Sequence, residues 1–143
     1  QTPEHLLLLA CKGPAFCERE NRAISCRQFP FFPYITSDFR FIGLTYDWEF
    51  VNKCWVLSHL DQVSKGYLQE FISTFDQLFS AMLEDLDAYT TLSEETREHY
   101  AKLKRRFPVL HRNGNWYLVS PVNETMRKIS PASLPRFQPY SIQ

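Results

Sequence analysis

The chain has 143 residues, and its 16 basic and 16 acidic side chains cancel. That length suits one domain able to bury its own core without a cross-link or a metal to keep it folded. Zero net charge removes any global field that would draw it to nucleic acid or to an anionic membrane, and no apolar run approaches the roughly 20 residues of a membrane span. Four cysteines in 143 residues fall well below the density of disulfide scaffolds, which favours a cytoplasmic setting and metal chemistry over cross-links.

Near the N-terminus, His5 beside Glu4 is a stray histidine and reads as solvated rather than as a ligand. Leu6–Ala10 lacks the basic flank and cleavage site of a secretion signal, and it reads as a buried strand or short helix.

Residues 11–34, CKGPAFCERENRAISCRQFPFFPY, organise the sequence. Gly13-Pro14 is a turn that breaks any helix between Cys11 and Cys17 and folds the two thiols toward one another. The spacing Cys-x5-Cys-x8-Cys is not the Cys-x2-Cys pair of zinc fingers. Three thiols so close in sequence nevertheless need little ordering to converge on a soft or borderline metal. Arg22 and Arg27 flank Cys26, where cations favour the thiolate form. Phe29, Phe31, Phe32 and Tyr34 offer an apolar cover that excludes water; taken singly, the same rings fit ordinary core and the arginines ordinary surface.

The run from Arg22 to Phe31, RAISCRQFPF, resembles the closing half of the YkgJ-type cysteine-cluster family of zinc- or iron-chelating proteins. Flagellin lysine N-methylases share that cluster. In the family an opening Cys-x2-Cys-x2-Cys-Cys element precedes a second one: a cysteine, a short loop, another cysteine, then Arg-Pro-x-x-Cys-Arg-x-Phe-Pro. By this resemblance Cys11, Cys17 and Cys26 match the cysteines of the second element, Arg22 the arginine before the last of them, and Arg27, Phe29 and Pro30 the closing signature. Cys54 would be a later ligand. Ala23 stands where the family has proline, and the opening element is absent from this chain. A sequence that starts after that element, as a start at Gln1 suggests, and a degenerate member that has lost it both fit.

Residues 38–53 alternate Phe39 and Phe41, then Leu44, Tyr46, Trp48 and Phe50, with polar neighbours, which predicts a strand, and Gly43 marks a bulge or a close approach. Cys54 is expected at the strand's end, placed either as a ligand or as a small buried residue. From Asp61 to Leu86 the apolar spacing changes to threes and fours through Leu68, Phe71, Phe75, Phe79 and Met82, which predicts a long amphipathic helix. Glu84, Asp85 and Asp87 then fall at its C-terminal end, against the macrodipole, and read as a solvated helix end rather than as paired ligands.

Ser93 reads as the N-cap of a second helix, with Glu94 and Glu95 in its first turn, Lys102, Lys104, Arg105 and Arg106 in its last, and Pro108 as its stop. A capped helix explains that basic quartet better than nucleic-acid binding, for which no aromatic ladder is present. Two apolar runs around Asn113-Gly114 predict a hairpin with a type I′ turn, its Trp116 and Leu118 on one face and His111 exposed. The proline-rich remainder is expected to run extended, tethered by Phe137 and Tyr140.

The chain is therefore expected to be a small α+β domain over residues 1–143. Residues 1–60 form the metal-binding region, 61–107 a helical region, 108–120 the hairpin and 121–143 the tail. The expected function is to hold zinc or an iron–sulfur cluster through Cys11, Cys17, Cys26 and Cys54. Protein-modifying chemistry on a protein substrate is what the methylase resemblance would add, and a chelating or redox role is equally allowed. The alternative is a metal-free protein–protein interaction module with buried or disulfide-paired cysteines. No Gly-rich phosphate loop, Gly-x-Ser-x-Gly elbow or His-Glu-x-x-His pair occurs, so enzyme activity stays open, as does zinc against iron.

Overall fold

A computed structural model describes Cys11 and residues 13–137; His5, Leu6–Ala10 and Tyr140 lie outside the described residues. Five strands, β1 (Phe31–Ile35), β2 (Phe41–Tyr46), β3 (Phe107–His111), β4 (Trp116–Val119) and β5 (Met126–Ile129), pair antiparallel in sequence order. The helices are α1 (Ile24–Gln28), α2 (Lys65–Ala81) and α3 (Leu83–Leu103). The two long helices fill the connection from β2 to β3, so the fold is α+β with an antiparallel meander.

The predicted stripe of α2 is the inner face of the molecule. Ser64 accepts a hydrogen bond from Tyr67 N at 3.1 Å and starts the helix. Leu68, Phe71, Phe75 and Phe79 then pack on Phe31, Ile35, Leu44, Leu110 and Trp116 of the sheet. Phe71, Phe75 and Phe79 run ring to ring at 4.7 and 5.6 Å, and Tyr89 of α3 meets Phe75 edge-on at 5.4 Å. Each ring buried this way contributes about 2 kcal/mol through its removal from water. A second cluster joins Tyr34, Ile42, Phe107, Val109 and Val119 to Tyr100 of α3.

Gly43 fulfils both readings offered for it. Tyr34 pairs with Gly43 and Ile35 with Phe41, which leaves Ile42 as the extra residue of a bulge in β2. A Cβ at Gly43 would lie 2.1 Å from Leu110 O and 2.9 Å from the His111 Cα, so no side chain fits between β2 and β3.

Several boundaries differ from expectation. The strand predicted over 38–53 ends at Tyr46, because Asp47 accepts from Glu49 N at 3.0 Å and caps a 3₁₀ turn over Trp48–Phe50. The helix predicted through Leu86 breaks at Met82, whose backbone is extended. Glu84 and Asp85 consequently sit in the first turn of α3, the end where the macrodipole favours anions. Ser93 is not an N-cap but a fully buried residue inside α3; its Oγ donates to Tyr89 O and accepts from Ile35 N of β1 at 2.9 Å.

Lys104, at φ 55°, ends α3 in a left-handed turn, and Pro108 lies in β3 rather than stopping the helix. The β3–β4 hairpin forms where predicted, but its turn is not type I′. Gly114 N donates to His111 O at 2.8 Å and His111 N to Asn115 O at 2.9 Å, with Gly114 alone of the loop at positive φ. This is a three-residue connection with glycine in the left-handed position. The predicted extended tail contains β5, an edge strand, and Phe137 tethers the segment after it through bonds to the Ser58 hydroxyl and a ring contact with Tyr46. His111 is half-buried rather than exposed.

Candidate functional site

Short turns carry the cysteine-bearing segment up to β1. Gly13, at φ 91°, opens a 3₁₀ turn over Pro14–Phe16, closed by a bond from Phe16 N to Gly13 O, as its Gly-Pro dipeptide predicts. A second turn covers Arg19–Asn21, and α1 follows. Arg27 ties these pieces together, its Nε donating to Arg22 O at 3.1 Å and its Nη2 to Glu20 O at 2.9 Å. Tyr67 of α2 reaches α1 from the other side, placing its hydroxyl 3.2 Å from the carbonyls of Arg27 and Gln28. Burial, and then the charge of Glu70, push that phenol up to about 12, so it stays a donor.

All four cysteines are free thiols; Cys11, Cys17 and Cys26 are exposed and Cys54 is half-buried. Arg22 donates through Nε to Cys17 Sγ at 3.4 Å. That bond, and then the Coulombic pull of Cys17 and more weakly of Cys26, raise its guanidinium above the ordinary arginine value. The cation bonded to Cys17 is the arginine that the sequence pattern singled out before Cys26. Cys11 accepts from Gly13 N at 3.4 Å within its own turn.

Cys54 takes a different position. It packs against the main core and lines a cleft of about 400 Å³ with Arg27, Phe29, Phe31, Val63 and Tyr67. Because β2 ends eight residues earlier, a chain of 3₁₀ turns rather than a strand end presents it. Among the described residues, no three Cys, His, Asp or Glu side chains stand together as a ready-made ligand set. The exposed thiols of Cys11, Cys17 and Cys26 are donors of the type that zinc and iron–sulfur clusters take, and Arg22 lies against one of them.

The aromatic cover expected over the thiols is mostly core. Phe31, Phe32 and Tyr34 are buried in β1, whereas Phe29 stays half-exposed and meets Phe50 edge-on at 4.9 Å.

A polar cluster that sequence reasoning missed lies at the far end of β1. Arg97 of α3 and Glu124, which precedes β5, form an ion pair at 3.2 Å with side chains only 12% and 16% exposed. Arg97 also donates to Ile35 O and to the Tyr34 hydroxyl, and Tyr34 donates to Glu124 at 2.6 Å. Burial raises the Glu124 carboxyl, but bonds from Ser37 and Tyr34 and the Arg97 charge outweigh it and hold the group below its ordinary value. Glu124 has a positive φ of 57°. No spacing in the sequence pairs residues 97 and 124. The bonds of this cluster tie α3, the end of β1 and the segment before β5 together.

Comparison with known proteins gives no family model, no curated protein and no solved structure that matches the chain. Among the described residues, no helix is long and apolar enough to cross a membrane.

Proposed function

We propose that this protein binds a metal, as zinc or as an iron–sulfur cluster, through cysteine thiolates, in the manner of the YkgJ-type proteins its sequence resembles. The observation that supports this reading is a cation placed on one of the clustered thiols: Arg22 donates through Nε to Cys17 Sγ at 3.4 Å. Cys17 and Cys26 would be the first two ligands, Cys11 the third from the same segment, and Cys54 the fourth. Because the thiols are not assembled as a set, binding would draw the segment of turns together, coupling metal affinity to local folding. Bound zinc would serve as a structural or Lewis-acid centre, and a cluster would carry electrons. A protein substrate and a protein-modifying reaction belong to the same proposal, resting on the resemblance to the methylases alone.

The test is elemental analysis and an absorption spectrum of the chain purified without oxygen. Zinc, or iron with sulfide and a broad visible band, is expected, together with thiols protected from alkylation until a chelator is added. Cys17→Ser and Cys26→Ser should each lose most of the metal. Absence of metal, with all four thiols alkylating at once under native conditions, would overturn the proposal and leave the metal-free interaction module.

A further inference from the structure

The zero net charge of the chain conceals a division along its length. Residues 99–143 hold eight basic side chains and a single acidic one, Glu124, and Glu124 is already engaged in its ion pair with Arg97. This stretch builds β3, β4 and β5, so the half of the sheet that ends at β5 is its basic half.

The last strand also presents backbone. Among the described residues no strand pairs beyond β5. At the mouth of the β4–β5 hairpin, Ser120 N donates to Thr125 O at 2.9 Å. In an antiparallel ladder, pairs that exchange such bonds alternate with pairs that do not. The register sets Met126 opposite Val119, Arg127 opposite Leu118, Lys128 opposite Tyr117 and Ile129 opposite Trp116. Arg127 and Ile129 therefore bond to β4, and the N–H and C=O groups of Met126 and Lys128 point away from it. Met126, Arg127 and Lys128 are all exposed. On the opposite rim, by contrast, both backbone groups of Ile35 are taken by α3. Arg127 and Lys128, being consecutive, stand on opposite faces of the strand. Arg106 reaches its start, with Nη1 donating to Thr125 O at 2.8 Å. An edge with two donors and two acceptors is thus bordered by cations on both faces.

We infer that β5 binds an extended acidic segment of a partner protein by strand addition. The backbone of that segment pairs with Met126 and Lys128, and its Asp or Glu side chains meet Arg106, Arg127 and Lys128. Cations on an edge bar a like strand; the same cations select an acidic one. A nucleic acid fits less well, because base stacking needs open ring faces. Of the aromatic rings on β3, β4 and β5, Phe107 and Trp116 are buried, and Tyr117 is tied to Asn113 at 3.0 Å. This inference uses none of the cysteines and does not rest on the metal reading.

The test is fluorescence anisotropy of a labelled peptide of alternating Glu and Val, titrated with the whole chain. Its controls are the Lys-Val counterpart, a version N-methylated along its length, and an oligothymidylate. The N-methylated peptide keeps the charge and loses the donors of both edges. The acidic peptide should bind at least tenfold tighter than each control. Changing Arg127→Glu and Lys128→Glu together should weaken it at least tenfold, with the melting temperature and any bound metal unchanged. Equal binding of the N-methylated and unmodified peptides would leave only unspecific charge attraction and overturn the inference. Tighter binding of the oligothymidylate, or no binding of the acidic peptide, would overturn it too. Loss of metal in the cysteine variants with peptide binding intact would leave it standing.

Discussion

Replacing Gly43 by alanine is expected to be among the most damaging single-methyl changes in the chain. The added Cβ would sit 2.1 Å from Leu110 O and 2.9 Å from both the Leu110 carbonyl carbon and the His111 Cα, all of them backbone atoms of β3. No rotamer relieves such a clash, so the two strands must separate. Gly43 pairs with His111 and Leu44 with Leu110 in the register of β2 on β3, and Arg112 N to Ile42 O, at 2.8 Å, lies at the same point. Losing two of these bonds costs about 2 kcal/mol, at roughly 1 kcal/mol each, and the backbone strain adds about 1–3 kcal/mol. A total near 4 kcal/mol against an unfolding entropy of about 0.3 kcal/mol/K for a chain of this size lowers the melting temperature by about 13 °C. Thermal unfolding followed by circular dichroism measures this directly. A Gly43→Ala protein melting within 2 °C of the parent would refute the account of how β2 meets β3.

Three further outcomes are expected. Ser93→Ala should destabilise by about 1–2 kcal/mol in urea unfolding, because it leaves Ile35 N without its acceptor inside the protein. Glu124→Gln should destabilise at pH 7 by about 1–3 kcal/mol by stripping the buried Arg97 of its counter-charge. Since the Glu124 carboxyl is held below its ordinary value, its contribution is complete above the unfolded carboxylate pKa and fades as pH falls through the lower folded one. The gap between parent and Glu124→Gln should therefore close below about pH 4, and a gap that widens with acid would contradict the assignment. Lys104→Gly should stabilise by about 0.5–1 kcal/mol, since glycine takes the left-handed C-cap without strain, and a lower melting temperature would count against that cap.

What the sequence made legible was what local chemistry decides. Asn113-Gly114 placed a hairpin, the spacing of Leu68, Phe71, Phe75 and Phe79 placed a buried helix face, and Gly43 announced its bulge. The turn type escaped because Asn-Gly also suits a loop in which only the glycine goes left-handed. The break at Met82 escaped because the three-and-four spacing runs straight through it, with no glycine or proline to mark it. Ser93 misled because a serine before two glutamates looks the same whether it caps a helix or reaches from inside one to a strand 58 residues away. Strand β5, reading Met126-Arg127-Lys128-Ile129, has a charged centre and an exposed face, so no alternation betrayed it. The cysteine segment was legible in residue type, but the Arg22–Cys17 bond was not, because the sequence set Arg22 beside Cys26 instead. The position of Cys54 depends on where β2 stops.

The two rims of the sheet are guarded by different means. On β1, Pro33 has no N–H to offer, and both backbone groups of Ile35 are claimed by Ser93 and Arg97 of α3. No incoming strand can add there without displacing a helix. On the other side β5 ends the sheet, with no strand among the described residues paired beyond it, and it carries Arg127 and Lys128. Two copies approaching rim to rim would set these cations against each other and be repelled. The sheet therefore resists growing into a fibril through geometry on one side and charge on the other, and only the second barrier weakens as salt is added.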